Sequence, residues 1–120
     1  MRFLTLYTPA VAARGPPSAE HLARMGQLMQ EMTRAGVLVA TGGILSRTTG
    51  MKVVRQNGAI EVENGPVAGS SLMPAAGYAV LRAGTREELL SHVKAFLEVA
   101  GDGTSEIIQV MDAPAAPPQP

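Results

Sequence analysis

The chain has 120 residues, of which 46% are hydrophobic and 17% are charged, so one globular domain can bury a core without help from disulfides. Ten basic and ten acidic residues cancel, and two Tyr with two Phe are the only aromatic residues, which argues against a nucleic-acid-binding surface. The chain has no cysteine, which excludes disulfides, thiolate metal sites and cysteine nucleophiles.

The first element predicted along the chain is a strand over residues 2–8, where side chains alternate and β-formers are common. The apolar run is broken at Thr5 and ends at Pro9, which is short for a signal peptide. No run approaches the ~20 apolar residues that a membrane span requires. We therefore expect a cytoplasmic protein without membrane contacts.

A helix is predicted next, with Ser18 as its N-cap, Glu20 in its first turn and Gly36 at its end. An apolar stripe at helical spacing predicts core packing rather than a cofactor site. The stripe consists of Leu22, Met25, Met29 and Met32.

A short apolar strand is predicted over residues 37–40, with a break at Thr41-Gly42-Gly43. Residues 51–55 and 59–63 then flank Asn57-Gly58, the strongest short signal for a β-hairpin. A loop of small residues follows and leads to another predicted strand over residues 78–82.

A second helix is predicted from a capping box formed by Thr85 and Glu88. Its apolar face carries Leu89, Val93, Phe96 and Ala100, and Gly101 and Gly103 end it. The last strand is predicted over residues 105–111. The proline-rich tail over residues 113–120 has nothing to bury, so we expect a domain over residues 1–112 and a disordered tail.

The element order, β-α-β, hairpin, β-α-β, predicts an α+β fold of the ferredoxin-like, split βαβ type with an inserted hairpin. Alternation along the strands predicts an aliphatic face under the helices, carrying Leu4, Leu6, Ala79, Leu81, Ile108 and Val110. The other face would carry Phe3, Thr5, Tyr7, Tyr78, Val80, Arg82, Ile107, Gln109 and Met111.

Two helices cannot cover both faces of the sheet, so the second face predicts a homodimer with sheets packed face to face. The space between the sheets is either a dry interface or a small-molecule cleft, and both alternatives stay open at this point. In a cleft, the candidate ligand-binding residues are Tyr7, Tyr78, Arg82 and Gln109.

Several segments resemble the YCII-related superfamily, and more narrowly its DGPF-domain proteins, over residues 1–112. They are Ala35-Gly36-Val37-Leu38, Thr41-Gly42-Gly43, Asn64-Gly65-Pro66-Val67, Gly77-Tyr78 and Glu106-Ile107. The resemblance implies that this chain is a member of the dimeric α/β-barrel group. The family's signature loop is Asp-Gly-Pro-Phe-x-Glu, of which this chain keeps Gly65 and Pro66 but has Asn64, Val67 and Gly69 at the other positions. Any chemistry of the two acidic groups should therefore be absent.

The segment from His21 to Met25 resembles the His-Leu-x-Arg-hydrophobic helix opening of YCII proteins proper. In that family the histidine pairs with a later aspartate as a general acid/base, which implies a catalytic pair of His21 and Asp102 here. An exposed histidine in a first turn is the alternative reading. His92 is expected to be an ordinary helix residue, and the sequence predicts no metal site and no cofactor.

Three functions remain open after this comparison. The first is a homodimer that binds a small molecule in the cleft between its sheets. The second is a cofactor-free lyase or isomerase that uses His21. The third is a regulatory accessory protein of transcription, suggested because DGPF proteins resemble modules linked to alternative sigma factors. The neutral charge argues against direct contact with DNA, though not against a protein partner.

Overall fold

The computed structural model describes residues 1–11, 16–44, 50–64 and 75–111, which form an α+β fold with antiparallel sheets, as predicted. The elements in chain order are β1 (Arg2–Pro9), α1 (Ala19–Arg34), β2 (Leu38–Gly43), β3 (Met51–Gln56), β4 (Ala59–Asn64), β5 (Gly77–Arg82), α2 (Arg86–Ala100) and β6 (Gly103–Val110).

Four strands form one antiparallel sheet in the order β2-β5-β1-β6, so β5 and β1 lie at its centre. In its register Phe3 lies opposite Leu81 of β5 and Gln109 of β6. Residues that lie opposite each other point to the same face. Phe3 and Leu81 belong to one buried cluster with Leu89 and Val93 of α2, so this face lies under the helices.

Both helices begin at the caps that the sequence predicts. The Ser18 hydroxyl accepts a hydrogen bond from the His21 N–H at 3.1 Å, and the Thr85 hydroxyl accepts one from the Glu88 N–H at 3.1 Å. The Glu88 carboxylate accepts the N–H of Gly84 at 2.9 Å, one residue before the position expected in a capping box. These bonds satisfy N–H groups that have no partner inside the helix.

The predicted assignment of sheet faces is correct for β5 but wrong for β1 and β6. Phe3, Thr5, Tyr7, Ile107 and Gln109 share the helix-covered face with Ala79 and Leu81. The opposite face, which we call the open face, carries the apolar or aromatic residues Leu4, Leu6, Tyr78, Val80, Ile108 and Val110, together with the charged residues Arg2, Arg82 and Glu106. The error arose because both sides of β1 and β6 carry apolar residues. Alternation alone then does not show which of the two sides faces the helices.

Two further predictions need correction. Strand β2 runs through Thr41-Gly42-Gly43 instead of breaking there, with an irregular register between Leu38 and Ala40. Gly42 fits because its missing side chain leaves room for the ring of Tyr78, whose Cε1 would lie 2.8 Å from an added Cβ. Leu22 does not belong to the packed stripe of α1, since it is 58% exposed.

The hairpin predicted at Asn57-Gly58 is confirmed. Strands β3 and β4 pair as a separate two-stranded sheet, and both turn residues have positive φ, 53° and 82°. The proline-rich tail over residues 113–120 and the loop that begins at Gly65 lie outside the described residues. Neither helix in the described ranges has the length and apolar character that crossing a membrane demands.

Candidate functional site

A cavity of about 350 Å³ lies between the helices and the sheet. Its roof is formed by Met25, Met29 and Met32 from α1 together with Val93 and Phe96 from α2. Small ligand sites in proteins begin at about this volume and are mostly apolar. The cavity therefore has the size and the lining of a site for one small organic molecule.

The cavity exists because long, unbranched side chains face small ones. Met25 and Met29 are half-buried on α1, and the floor beneath them includes Gly77 and Ala79 of β5. The methionine side chain is flexible, so this roof can pack against ligands of different shape. Core packing of this stripe, as predicted, is complete only at the buried Met32.

Tyr7 forms the polar end of the cavity and is held on several sides. Its ring packs edge-on against Phe96, with ring centroids 5.3 Å apart and an interplanar angle of 84°. Its hydroxyl donates to the carbonyl oxygens of Gly101 and Asp102, each at 3.3 Å. The donated proton is therefore engaged, while the oxygen can still accept a hydrogen bond from a guest.

Two other hydroxyl groups that line the cavity also donate their protons to backbone carbonyls. Thr5 Oγ1 donates to the carbonyl of Ala79 at 3.2 Å, and Thr41 Oγ1 donates to the carbonyl of Tyr78 at 2.9 Å. The half-buried Ser105 hydroxyl has no hydrogen bond to any described residue. Within the described ranges, no Asp, Glu, Lys, Arg or His lines the cavity. The site thus offers hydroxyl groups without any full charge.

His21 lies on the cavity-facing stripe of α1 but beyond the cavity itself. It is four residues before Met25 and eight before Met29, so it shares their face of the helix, and it is half-buried like them. Its imidazole makes no hydrogen bond or ion pair with a described residue. Asp102 is exposed, and its backbone carbonyl rather than its carboxylate contacts Tyr7. The structure therefore shows no catalytic pair between His21 and Asp102.

The four predicted ligand-binding residues are divided between the two faces of the sheet. Tyr7 and Gln109 lie on the helix-covered face, and Gln109 borders a separate surface depression beside Leu89. Tyr78 and Arg82 belong to the open face by register, and both are exposed. Tyr78 also contributes to the lining of the cavity, so the structure brings Tyr7 and Tyr78 to one site but leaves Arg82 and Gln109 outside it.

Of the signature loop, only Asn64 is within the described residues; it is exposed at the end of β4, while Gly65 and Pro66 lie outside them. The sequence reasoning missed Thr5, Phe96 and Ser105 as parts of a site. The signal that could have found the site is the methionine stripe, because flexible thioether side chains are common at adaptable binding surfaces.

Comparison of the sequence with protein-family models gives no match, and comparison with curated proteins gives no significant match. The resemblance to the YCII-related superfamily therefore stays a prediction.

Proposed function

We propose that this chain binds a small, uncharged and largely apolar molecule in the cavity between its helices and its sheet. The observation that carries the proposal is the cavity of about 350 Å³ under Met25 and Met29, which has hydroxyl groups at its edge and no charged side chain. The strand order β2-β5-β1-β6, with both helices on one face, also supports the narrower classification as a ferredoxin-like sandwich.

The lining restricts the chemistry of the ligand. An ionised group would lose its hydration without meeting an opposite charge, which costs several kcal/mol. A hydroxyl or amide N–H of the ligand can instead be donated to the oxygens of Tyr7 or Thr5, whose own protons are already engaged. We expect an aromatic or alicyclic ring, or a short alkyl chain, with one such donor.

A thermal-shift experiment with matched pairs of compounds tests this function. Benzyl alcohol, cyclohexanol and 1-hexanol should raise the melting temperature by mass action, whereas benzoate and hexanoate should not. Ala79→Leu fills the floor of the cavity and should abolish the shift, while Val80→Leu, the next residue on the opposite face, should leave it unchanged. Equal shifts for alcohols and carboxylates, or shifts that survive Ala79→Leu, would contradict the proposal.

The assembly that we propose is a homodimer formed through the open face. Within the described ranges no helix packs on this face: Ile108 is 54% exposed, and Leu4, Leu6, Val80 and Val110 are half-buried. A monomer rarely leaves so continuous an apolar surface in water. The resemblance to dimeric α/β-barrel proteins likewise implies a dimer that buries this face.

A lyase or isomerase that uses His21 is the second candidate function. It is favoured by one observation, the position of His21 on the same stripe as the cavity-lining Met25. A substrate larger than the cavity would reach the imidazole. If a bound compound is turned over, His21→Gln should lower the rate by about 10²- to 10⁴-fold, as for a general acid/base. An unchanged rate would remove this candidate.

A further inference from the structure

The β3–β4 hairpin has one apolar side, which we call the hairpin apolar face. Because residues opposite each other share a side, this face carries Met51, Val53, Arg55, Ile60, Val62 and Asn64. The other side carries Lys52, Val54, Gln56, Ala59, Glu61 and Glu63. The ribbon is therefore amphipathic, although both of its sides are exposed in the single chain.

Nothing in the described part of the chain covers the hairpin apolar face. Val53 is 57% exposed and Ile60 is 65% exposed, and the hairpin makes no extensive contact with another described helix or strand. An isolated two-stranded hairpin is marginally stable in water unless its apolar side packs on something. A ribbon that keeps an alternating pattern of this kind consequently requires a surface to pack on.

The open face of the sheet provides a matching surface. It is the other apolar surface that the described residues leave uncovered, and it contains aliphatic side chains of three adjacent strands. The hairpin apolar face has a single charge, Arg55. The open face carries Arg2 and Arg82 at one end of β1, and its single carboxylate, Glu106, lies opposite Leu6 toward the other end, where Arg55 can meet it away from both arginines. Neither Arg55 nor Glu106 forms a hydrogen bond or ion pair with any described residue.

We propose that the hairpin is an arm between subunits, which packs its apolar face against the open face of a second copy of this chain. In this arrangement Arg55 meets Glu106 of the partner subunit. Two-fold symmetry makes the contact twice, because each copy has one arm and one open face. The inference rests on the proposed dimer but is separate from ligand binding in the cavity.

The first test compares Val53→Lys with Val54→Lys by sedimentation equilibrium. These neighbouring valines lie on opposite sides of the ribbon, opposite Val62 and Glu61 respectively. Val53→Lys should weaken the dimer at least about tenfold, because a buried side of the arm then carries an unpaired charge. Val54→Lys should leave the dissociation constant unchanged. Ile60→Lys should repeat the effect of Val53→Lys, and circular dichroism should show all three variants folded.

The second test exchanges the charges. Arg55→Glu and Glu106→Arg should each weaken the dimer, and the double variant should recover most of the loss, as paired charges at an interface do. A wild-type dimer that tolerates Val53→Lys and Ile60→Lys, or a double variant without recovery, would overturn the arm but not the dimer. A wild-type monomer at micromolar concentration would overturn both, while leaving the thermal-shift result in the cavity unaffected.

Discussion

Tyr7 illustrates how a single glycine makes room for a side chain that lines the cavity. A Cβ added to Gly103 would lie 2.6 Å from the carbonyl oxygen of Thr8 and 2.6 Å from Cε2 of Tyr7. Real Cβ atoms do not approach so closely, so the glycine permits both the strand pairing and the position of the ring. The edge contact of that ring with Phe96 depends on the same space.

Gly103→Ala should therefore destabilise the fold by about 1–3 kcal/mol, the usual cost of an inserted methyl group in a packed site. Gly26→Ala is the matched control, because Gly26 lies in α1 and an added Cβ there would meet no atom within 4 Å beyond its chain neighbours and the backbone of its own helix. Alanine there should stabilise the chain by about 0.5–1 kcal/mol, since glycine is unfavourable inside a helix. Urea denaturation measures both, and a loss of stability in Gly26→Ala equal to that in Gly103→Ala would contradict this assignment.

At the scale of elements, the caps determine where the helices begin. The Thr85 hydroxyl holds the N–H of Glu88, and the neighbouring Glu88 carboxylate holds the N–H of Gly84. Together these bonds define the first turn of α2, whose residues Leu89 and Val93 enter the core. The position of the core on α2 thus depends on polar groups outside it.

Thr85→Ala should lower the free energy of unfolding by about 1 kcal/mol, the typical loss for an N-cap. Ser91→Ala, an exposed position within the same helix, should change it little or raise it slightly. Thermal unfolding of the two variants side by side gives the comparison. If Ser91→Ala proves as costly as Thr85→Ala, the cap is not what stabilises the start of the helix.

The order of elements, the caps and the hairpin could be predicted from the sequence because each has a local signal. The phase of β1 could not, because Leu4 and Leu6 on one side and Phe3 on the other are all apolar, and the choice between them depends on which side the helices cover. The extent of β2 was missed because two glycines read as a break. The cavity was not predicted because the side-chain volumes of the helices and of the sheet together decide whether the methionine stripe packs tightly. The sequence of α1 does not contain that information.

At the scale of the whole molecule, we propose a separate task for each side of the sheet. The cavity lies on the helix-covered side, and the proposed contact with a second copy of the chain uses the open face. Light scattering at micromolar concentration should give about twice the mass of the chain. A monomer would contradict the dimer, although the cavity lies within one chain and ligand binding would persist.

The central claim, that the cavity accepts an uncharged guest, is tested most directly by NMR of ¹³C-methyl-labelled methionine. Three of the seven methionines, Met25, Met29 and Met32, line the cavity, whereas Met51 and Met111 are 61% and 92% exposed. Benzyl alcohol, or xenon as an inert probe of apolar cavities, should shift the three cavity signals with saturation and leave those of Met51 and Met111 in place. Unchanged signals from Met25, Met29 and Met32, with shifts confined to the exposed methionines, would contradict the account.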